Sequence, residues 1–373
     1  MSEIIRVLRV EEREVFERFL ERCYGCGWGA FSRWGPEVFR DDEASMQCHL
    51  VLEVDGRIAS AVGGYPMALV MGPARVSLVG VGNVSTDPSM RGRGYMSRLL
   101  EASIRLWRER GWTLSPLWGD RQRYGSFGWE SCGLKYSIAA NRRSLERVGI
   151  QPAEVEEVNP RDPSVVEQVQ SLHATLPFRI DRPRFDLKLH REGVRVFLGP
   201  DGYLLSHGDY GDKRISEIVS PTQREPELIG GMLNRTHSGA AHVECGPGDL
   251  DRLARVTSVM SGWQIGPQGM VRILDWPRLL HELQPLLAER AACLPSFTAS
   301  IGCRWQGQTE WATVEWDGAT LAVGPKRAGE GIEVDLPVLT GILLGSPHAM
   351  PAELRPFARL LPVPVHVPTL DRV

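Results

Sequence analysis

Long apolar runs, paired cysteines and an excess of one charge are all absent from this sequence. No stretch of its 373 residues stays apolar over the length of a membrane span, and the first residues lack a signal-peptide pattern. The seven cysteines are odd in number and widely scattered, which is typical of a reducing compartment. We therefore expect a cytoplasmic protein that has no membrane partner.

Positive and negative charges are nearly balanced, with 43 Lys and Arg against 46 Asp and Glu and a net charge of -3. Proteins whose main partner is nucleic acid usually carry a basic excess, so the sequence argues against that class. The closely spaced cysteines Cys23 and Cys26 have neither a second pair nor a nearby histidine. We therefore predict no metal site.

The most distinctive segment is a basic glycine turn at 91–94 (Arg-Gly-Arg-Gly) between a strand pattern and a helix pattern. Residues 76–84 are β-branched, and apolar residues recur at helical spacing over 96–110. A helix beginning near Tyr95 would direct its unpaired N–H groups into this turn, which favours an anion site. The glycines let phosphate oxygens approach, and the arginines add charge-assisted donors. A surface turn with two solvated arginines is the alternative.

Two motifs of this region resemble those of the GNAT superfamily of N-acetyltransferases. Val-x-Thr at 84–86 followed by Arg-x-x-Gly at 91–94 is similar to the acyl-CoA signature of that superfamily. Tyr-x-x-Phe-Gly-Trp at 124–129 resembles its next strand-turn segment, and the pairing is more specific than either motif alone. Met96 departs from the pattern, since many members carry Gly or Ala at that position. The resemblance implies an α/β (α+β) fold, acetyl-CoA as cosubstrate and no metal.

The resemblance also implies which residues contact acetyl-CoA. They lie at the strand end, in the glycine turn and in the first helical turn: Val84, Ser85, Thr86, Arg91, Gly92, Arg93, Gly94, Tyr95, Met96 and Ser97. Gly119 and Asp120 match family positions that touch the pantetheine arm or the acceptor. For Asp120, a plain turn residue is an equal alternative.

Composition and spacing divide the chain into parts. Its length predicts two or three domains. Residues 151–163 are acidic and proline-spaced, which predicts a linker. No second glycine turn of this kind occurs in the sequence between 175 and 265, so a second unit there should not bind CoA. The last hundred residues begin with a new strand and end in a proline-rich tail.

This layout resembles the enhanced-intracellular-survival (Eis) family within the GNAT superfamily. The resemblance implies a GNAT acetyltransferase domain at 1–150 and a degenerate GNAT-like domain at 151–268. It implies a sterol-carrier-protein-like α+β domain at 269–373, with a tail that reaches the active site. A homo-oligomer is also expected, since members of the family often assemble from several subunits.

Direct acetyl transfer from a thioester to an amine needs an acid, a base and polarisation of the carbonyl group, but no enzyme nucleophile. The resemblance assigns Tyr124 as the general acid, and a phenol with a pKa of about 10 stays protonated at neutral pH. It assigns the terminal carboxylate of Val373 as the base, although many members end in Phe. The alternatives are a packing role for Tyr124 and a frayed terminus.

The acceptor pocket is predicted around Trp28, Phe31 and Trp34, in a glycine-rich connection at 23–34. Flat rings hold amine-bearing substrates well, but these rings are equally suited to closing the edge of the core. We expect a primary amine as acceptor, in an aminoglycoside or another cationic amine, with a protein lysine as an alternative. The competing class of function is a non-catalytic CoA- or ligand-binding protein.

Overall fold

Most strands of the chain join into one large, strongly mixed sheet. The structure is a computed structural model that describes residues 2–207, 213–325, 331–346, 348 and 350–372. Within these residues, 13 strands form the large sheet and four form a second sheet. Among the described helices, none combines the length and apolar character that a transmembrane span requires. The predicted mixed α/β class is confirmed.

The first 150 residues supply one end of the large sheet and the helices packed on it. Their strands are β1 (Glu3–Val7), β2 (His49–Val54), β3 (Arg57–Met71), β4 (Ala74–Thr86), β5 (Leu114–Leu117) and β6 (Glu130–Asn141). Their helices are α1 (Arg13–Tyr24), α2 (Ala30–Trp34), α3 (Glu43–Met46), α4 (Tyr95–Glu109), α5 (Arg121–Tyr124) and α6 (Arg142–Val148). The connection predicted at 23–34 therefore contains a short helix.

The middle of the chain continues the same sheet. Its strands are β7 (Glu156–Val158), β8 (Phe178–Ile180), β9 (Val194–Leu198), β10 (Tyr203–His207), β11 (Lys213–Val219), β12 (Ala240–Cys245) and β13 (Gly262–Ile273). Its helices are α7 (Pro163–Ala174), α8 (Phe185–Leu189), α9 (Glu225–Thr236) and α10 (Leu250–Ser258). The linker predicted at 151–163 includes β7, and the predicted boundary at 268–269 falls inside β13.

The end of the chain forms the four-stranded sheet and its helices. These elements are α11 (Trp276–Ala291), β14 (Phe297–Trp305), β15 (Gln308–Trp316), β16 (Leu321–Gly324), β17 (Ile332–Asp335), α12 (Leu336–Leu344) and α13 (Arg355–Ala358). Trp276 on α11 is fully buried and donates a hydrogen bond to Ile301 O at 3.0 Å, which fixes the helix on β14. The likeness of this part to a sterol carrier protein stays a prediction, as does the three-part division.

The order of the large sheet brings distant segments side by side. The strands run β1-β2-β3-β4-β5-β13-β6-β12-β11-β10-β9-β7, with β8 paired to β3. β13 therefore lies between β5 and β6 and joins residues from the middle of the chain to the first part. β4 and β5 are parallel neighbours, and so are β11 and β12.

Helix α4 packs on the first end of this sheet because its apolar residues share one face. Leu99, Leu100 and Trp107 are buried under the strands, together with Trp129. Burial of one such side chain stabilises the fold by about 1.5–3 kcal/mol. The packing holds the N-terminus of α4 at the ends of β4 and β5.

Candidate active site

The glycine turn before α4 is open and exposed. Gly94 is the N-cap residue, with φ 75, and no side chain caps the helix. Gly92 has φ 78, and a Cβ added at Gly92 or Gly94 would meet no atom within 4 Å. Glycine adopts this left-handed backbone without strain. The first N–H groups of α4 therefore face a space that an anion can enter.

The side chains of the turn differ in what they offer to a ligand. Arg91 is exposed, and its guanidinium donates long hydrogen bonds to Thr86 O at 3.4 Å and Cys23 O at 3.5 Å. Arg93 is also exposed. Tyr95 is 4% exposed and packs in the core, so it can offer only its main-chain N–H to a phosphate. Met96 and Ser97 are partly buried at the start of the helix.

Strand β4 carries a bulge just before the turn. Ala61 pairs with Ser85, but Gly63 pairs with Gly82, so β4 has one residue more than β3 over this interval. Asn83 takes up the excess with a φ of 53, a conformation that Asn tolerates better than most residues. Its Nδ2 donates to the Tyr65 hydroxyl. The bulge shifts the register of β4 against β3, and Ser85 and Thr86 pair with Ala61 and Ser60 beyond it.

A cavity opens where β4 and β5 part. The two strands are paired at Leu78–Leu114 and at Val81–Leu117, and no pair is recorded beyond these positions. The cavity is open to solvent on one side and has an internal volume of about 370 Å³. It is lined by Tyr24, Phe31, Trp34, Gly35, Val38, Phe39, Tyr65, Val81, Gly82, Asn83, Val84, Leu117, Trp118, Tyr124, Arg191 and Arg372. Such a size suits a small organic ligand.

Tyr124 reaches this cavity from the end of the short helix α5. Asp120 caps α5 by accepting a hydrogen bond from Gln122 N at 2.9 Å, and its side chain is exposed. Tyr124 is 6% exposed. Burial raises the pKa of Tyr124 above the usual phenol value, although the Arg123 guanidinium acts in the opposite direction. The phenol is therefore protonated at neutral pH.

Gly119 allows the Tyr124 ring to take its place. A Cβ at position 119 would lie 2.6 Å from Tyr124 Cε2, closer than real Cβ contacts. A side chain there would push the ring. Gly119 is thus required by the position of Tyr124, whatever it contacts in a ligand complex.

Two of the three predicted pocket aromatics line the cavity. Phe31 contacts Trp34 edge-on, with ring centroids 5.5 Å apart. Tyr24 also contacts Phe31, at 5.4 Å, and its hydroxyl donates to Val84 O at 3.1 Å. Trp28 does not line the cavity: it precedes α2, and Arg18 lies over its ring at 4.8 Å. The prediction for Trp28 therefore differs from its observed position.

The C-terminal segment enters the same cavity. Arg372 lines it, and the backbone oxygen of Arg372 accepts a hydrogen bond from Arg191 at 3.1 Å. The Arg372 guanidinium donates to Glu244 at 2.9 Å and lies 5.3 Å from the Trp118 ring. The predicted base, Val373, lies outside the described residues.

A buried charge cluster anchors the residue before Arg372. Asp371 is fully buried and accepts hydrogen bonds from Arg182 at 2.7 and 3.0 Å. Arg182 also binds Glu217 at 2.7 and 2.8 Å. Burial tends to raise the pKa of Glu217, but the Arg182 and His173 charges hold it well below its usual value. Removing one partner of such a buried pair costs about 3–5 kcal/mol, so the tail is held firmly.

Sequence reasoning missed several residues of the cavity: Tyr24, Tyr65, Asn83, Trp118, Arg191 and Arg372. Asn83 offered a weak signal, because Asn is favoured where a bulged strand needs a positive φ. Arg191 offered none, since it follows α8 and comes from a distant part of the chain. Within the part of the chain that the structure describes, no three His, Cys, Asp or Glu side chains come together as metal ligands would.

Known proteins resemble this chain in part of its sequence and in its fold. Residues 5–132 match the family model of the acetyltransferase (GNAT) domain. No curated protein matches the chain in sequence. In structure, it is similar to a GCN5-related N-acetyltransferase from Kribbella flavida (TM-score 0.73, 18% identity, 100% of this chain and 98% of that chain covered).

Two further solved structures share the fold over nearly the whole chain. One is a probable N-acyltransferase of unknown function from Enterococcus faecalis V583 (TM-score 0.70, 18% identity, 92% and 90% covered). The other is Eis1 from Mycobacterium abscessus (TM-score 0.61, 18% identity, 92% and 90% covered). The resemblance to the GNAT superfamily is confirmed over residues 5–132, and the likeness to an Eis protein is one of fold.

Proposed function

We propose that this chain, whose residues 5–132 match the family model of the GNAT acetyltransferase domain, transfers the acetyl group of acetyl-CoA to a primary amine. One observation carries the proposal. Tyr124 and Arg372, the residue before Val373, line one cavity that opens at the parted ends of β4 and β5. The open glycine turn at 91–94 follows in the chain after Val84, which also lines this cavity.

The residues of the glycine turn fit acetyl-CoA. The space around Gly92 and Gly94 is free, and the first N–H groups of α4 face it. Arg91 and Arg93 are exposed beside it and supply positive charge to a pyrophosphate. When bound, acetyl-CoA would supply the thioester whose acetyl group is transferred. The backbone at 84–86, which follows the bulge at Asn83, is the proposed contact for its pantetheine arm.

Tyr124 is proposed to supply the proton that the reaction needs. As the new N–C bond forms and the C–S bond breaks, Tyr124 donates its proton to the departing sulfur. The raised pKa of Tyr124 supports this role, because the phenol carries that proton throughout the neutral range. The phenolate then regains a proton from solvent.

The C-terminal carboxylate of Val373 is proposed to accept the proton that the amine loses. A terminal carboxyl group with a pKa of about 3.5 is ionised at neutral pH. The contacts of Arg191, Glu244 and Arg182 with the two preceding residues support a fixed tail. The acceptor is a primary amine, in an aminoglycoside, another cationic amine or a protein lysine.

The proposal is tested by measuring thiol release from acetyl-CoA with a panel of amines. Tyr124→Phe removes the proton donor, so we expect the rate to fall about 10²-fold, the usual scale for a general acid. In the parent protein, any alkaline decline caused by loss of this proton should lie above pH 10, because burial raises the pKa of Tyr124. The pH profile of Tyr124→Phe should lack this alkaline decline.

The control is Tyr136→Phe, which changes a phenol that packs against a different core and does not line the cavity. It should leave the rate unchanged. An unchanged rate in Tyr124→Phe would contradict the assigned role. Binding of acetyl-CoA without thiol release in any amine would favour the non-catalytic alternative.

A second test concerns the tail. Adding two alanines after Val373 keeps every native residue but moves the terminal carboxylate along the chain. We expect kcat to fall about 10²-fold, the lower end for loss of a general base, with little change in acetyl-CoA affinity.

Deletion of residues 372–373 should give the same pattern of kinetic constants. Full activity in either variant would exclude the terminal carboxylate as the base. An Ala-Ala insertion at the N-terminus, far from the cavity in sequence, is the matched control for chain length.

A further inference from the structure

The charges around the cavity are positive. Among the described residues that line it, Arg191 and Arg372 are charged, and neither Asp nor Glu contributes. A polycationic ligand normally needs carboxylates around it to replace its lost hydration. The two guanidinium groups are paired with Glu37 and Glu244, so they offer a polycation no negative charge.

The carboxylates that contact the two lining arginines, and Asp371 beside Arg372, are already paired. Glu37 accepts a hydrogen bond from Arg191 at 3.0 Å and pairs with Lys188, also at 3.0 Å. Glu244 binds Arg372 at 2.9 Å and accepts from Thr369 at 2.7 Å. Asp371 is bound by Arg182. An ammonium group of the substrate would therefore compete with the arginine that each carboxylate already binds.

The apolar wall of the cavity presents flat aromatic surfaces. Tyr24 is 52% exposed and Trp34 is 50% exposed, although both border a cavity. They stand on either side of Phe31, which holds both rings by edge contacts. Large rings left this open are typical of a binding surface for another flat apolar group.

We infer that the acceptor is an arylalkylamine, in which one primary amine is carried by a flat apolar ring. This inference rests on the proposed function and narrows it away from aminoglycosides and polyamines. The ring of the substrate packs on Trp34 and Tyr24, and its single amine points towards Tyr124. Its one positive charge needs fewer carboxylate partners than a polycation does.

The inference is tested by comparing phenethylamine with kanamycin and spermidine as acceptors. We expect kcat/KM for phenethylamine to be at least tenfold higher than for either polycation. Trp34→Ala should raise KM for phenethylamine about tenfold, the effect of losing one aromatic contact of about 1.4 kcal/mol. The KM for acetyl-CoA should not change.

Trp28→Ala is the matched control. Trp28 is the same residue type, lies six positions earlier and is 54% exposed, but it does not line the cavity. It should leave KM for phenethylamine unchanged. A higher kcat/KM for a polycation, or an unchanged KM in Trp34→Ala, would overturn the inference.

A binding measurement separates this inference from the proposed function. Calorimetry without acetyl-CoA should detect phenethylamine on the parent protein, and weaker binding on Trp34→Ala. If no amine supports thiol release, the proposed function fails, while this calorimetric comparison still decides the chemistry of the cavity. Equal binding to the two proteins, or tighter binding of spermidine than of phenethylamine, would contradict it.

Discussion

The arrangement of β4, α4 and β5 recurs in the middle of the chain as β11, α9 and β12. The residues at the N-termini of the two helices differ, however. In both places a strand leads through a turn into a helix and then into a parallel neighbour of the first strand. α4 begins at Gly94 beside an open space. α9 begins with Glu225 and Pro226, which close the corresponding position.

The entrance of α9 is chemically unsuited to a phosphate. Glu225 is 1% exposed and accepts two hydrogen bonds from Arg255, both at 2.7 Å. A buried carboxylate there already satisfies the positive end of the helix. Pro226 removes one N–H donor from the first turn. A similar backbone therefore leaves the first turn of the helix open to an anion or closes it, according to a few side chains at the start of the helix.

The difference continues at the ends of β5 and β12. Asp120 caps α5, and Asp249 caps α10 by accepting from Arg252 N at 3.0 Å. Four residues after each cap stand Tyr124 in the first case and Leu253 in the second. The segment after β12 therefore has an Asp at the N-cap of its helix, but it has no phenol at the position that corresponds to Tyr124.

The largest expected effect concerns the two arginines of the open turn. Replacing both Arg91 and Arg93 with Ala should weaken acetyl-CoA binding about 10²-fold. Each charge-assisted hydrogen bond contributes about 1.5–3 kcal/mol, and exposure reduces that contribution. Calorimetry measures this loss, together with the number of molecules bound per chain, which we expect to be one.

Arg224→Ala is the matched control, because Arg224 directly precedes α9 and pairs with Glu227 at 3.6 Å. It should leave acetyl-CoA affinity unchanged. The comparison would break if Arg224→Ala caused an equal loss, or if two acetyl-CoA molecules bound to each chain.

Local features of the fold and site were predictable from the sequence. The turn at 91–94 has its signal within a few residues, and the helix at 96–110 follows from apolar spacing. Phe31 and Trp34 were predicted near the acceptor, and both line the cavity because α2 places them three residues apart on one face. Trp28 lies in the same aromatic-rich segment but precedes α2. No local sequence pattern indicates that the helix begins after it.

The parts that depend on distant pairing were not predictable. β13 lies between β5 and β6, so residues more than a hundred positions apart share one sheet. Arg191 and Arg372 meet in the cavity because α8 and the tail pack there, which needs the whole fold. The recurrence of strand, helix and strand is likewise a property of the backbone and leaves little trace in the residues.

A smaller effect would sharpen the comparison at the ends of β5 and β12. Gly119→Ala would bring a Cβ to 2.6 Å from Tyr124 Cε2, so the ring must move. Displacing a catalytic group by a fraction of an ångström to 1 Å is costly, and we expect kcat to fall about tenfold or more. Steady-state kinetics with acetyl-CoA and an amine measures it.

Gly248→Ala would cause a similar steric clash after β12, in the arrangement of β11, α9 and β12. Gly248 directly precedes the cap Asp249, and a Cβ there would press on the ring of Phe178. This variant should lower the thermal midpoint while kcat stays near that of the parent, because Phe178 packs in the core and does not line the cavity. If the two glycine variants lost the same share of kcat, general loosening of the sheet would explain Gly119→Ala as well. If only Gly119→Ala lost it, the requirement for glycine at that position would come from the place of the Tyr124 ring.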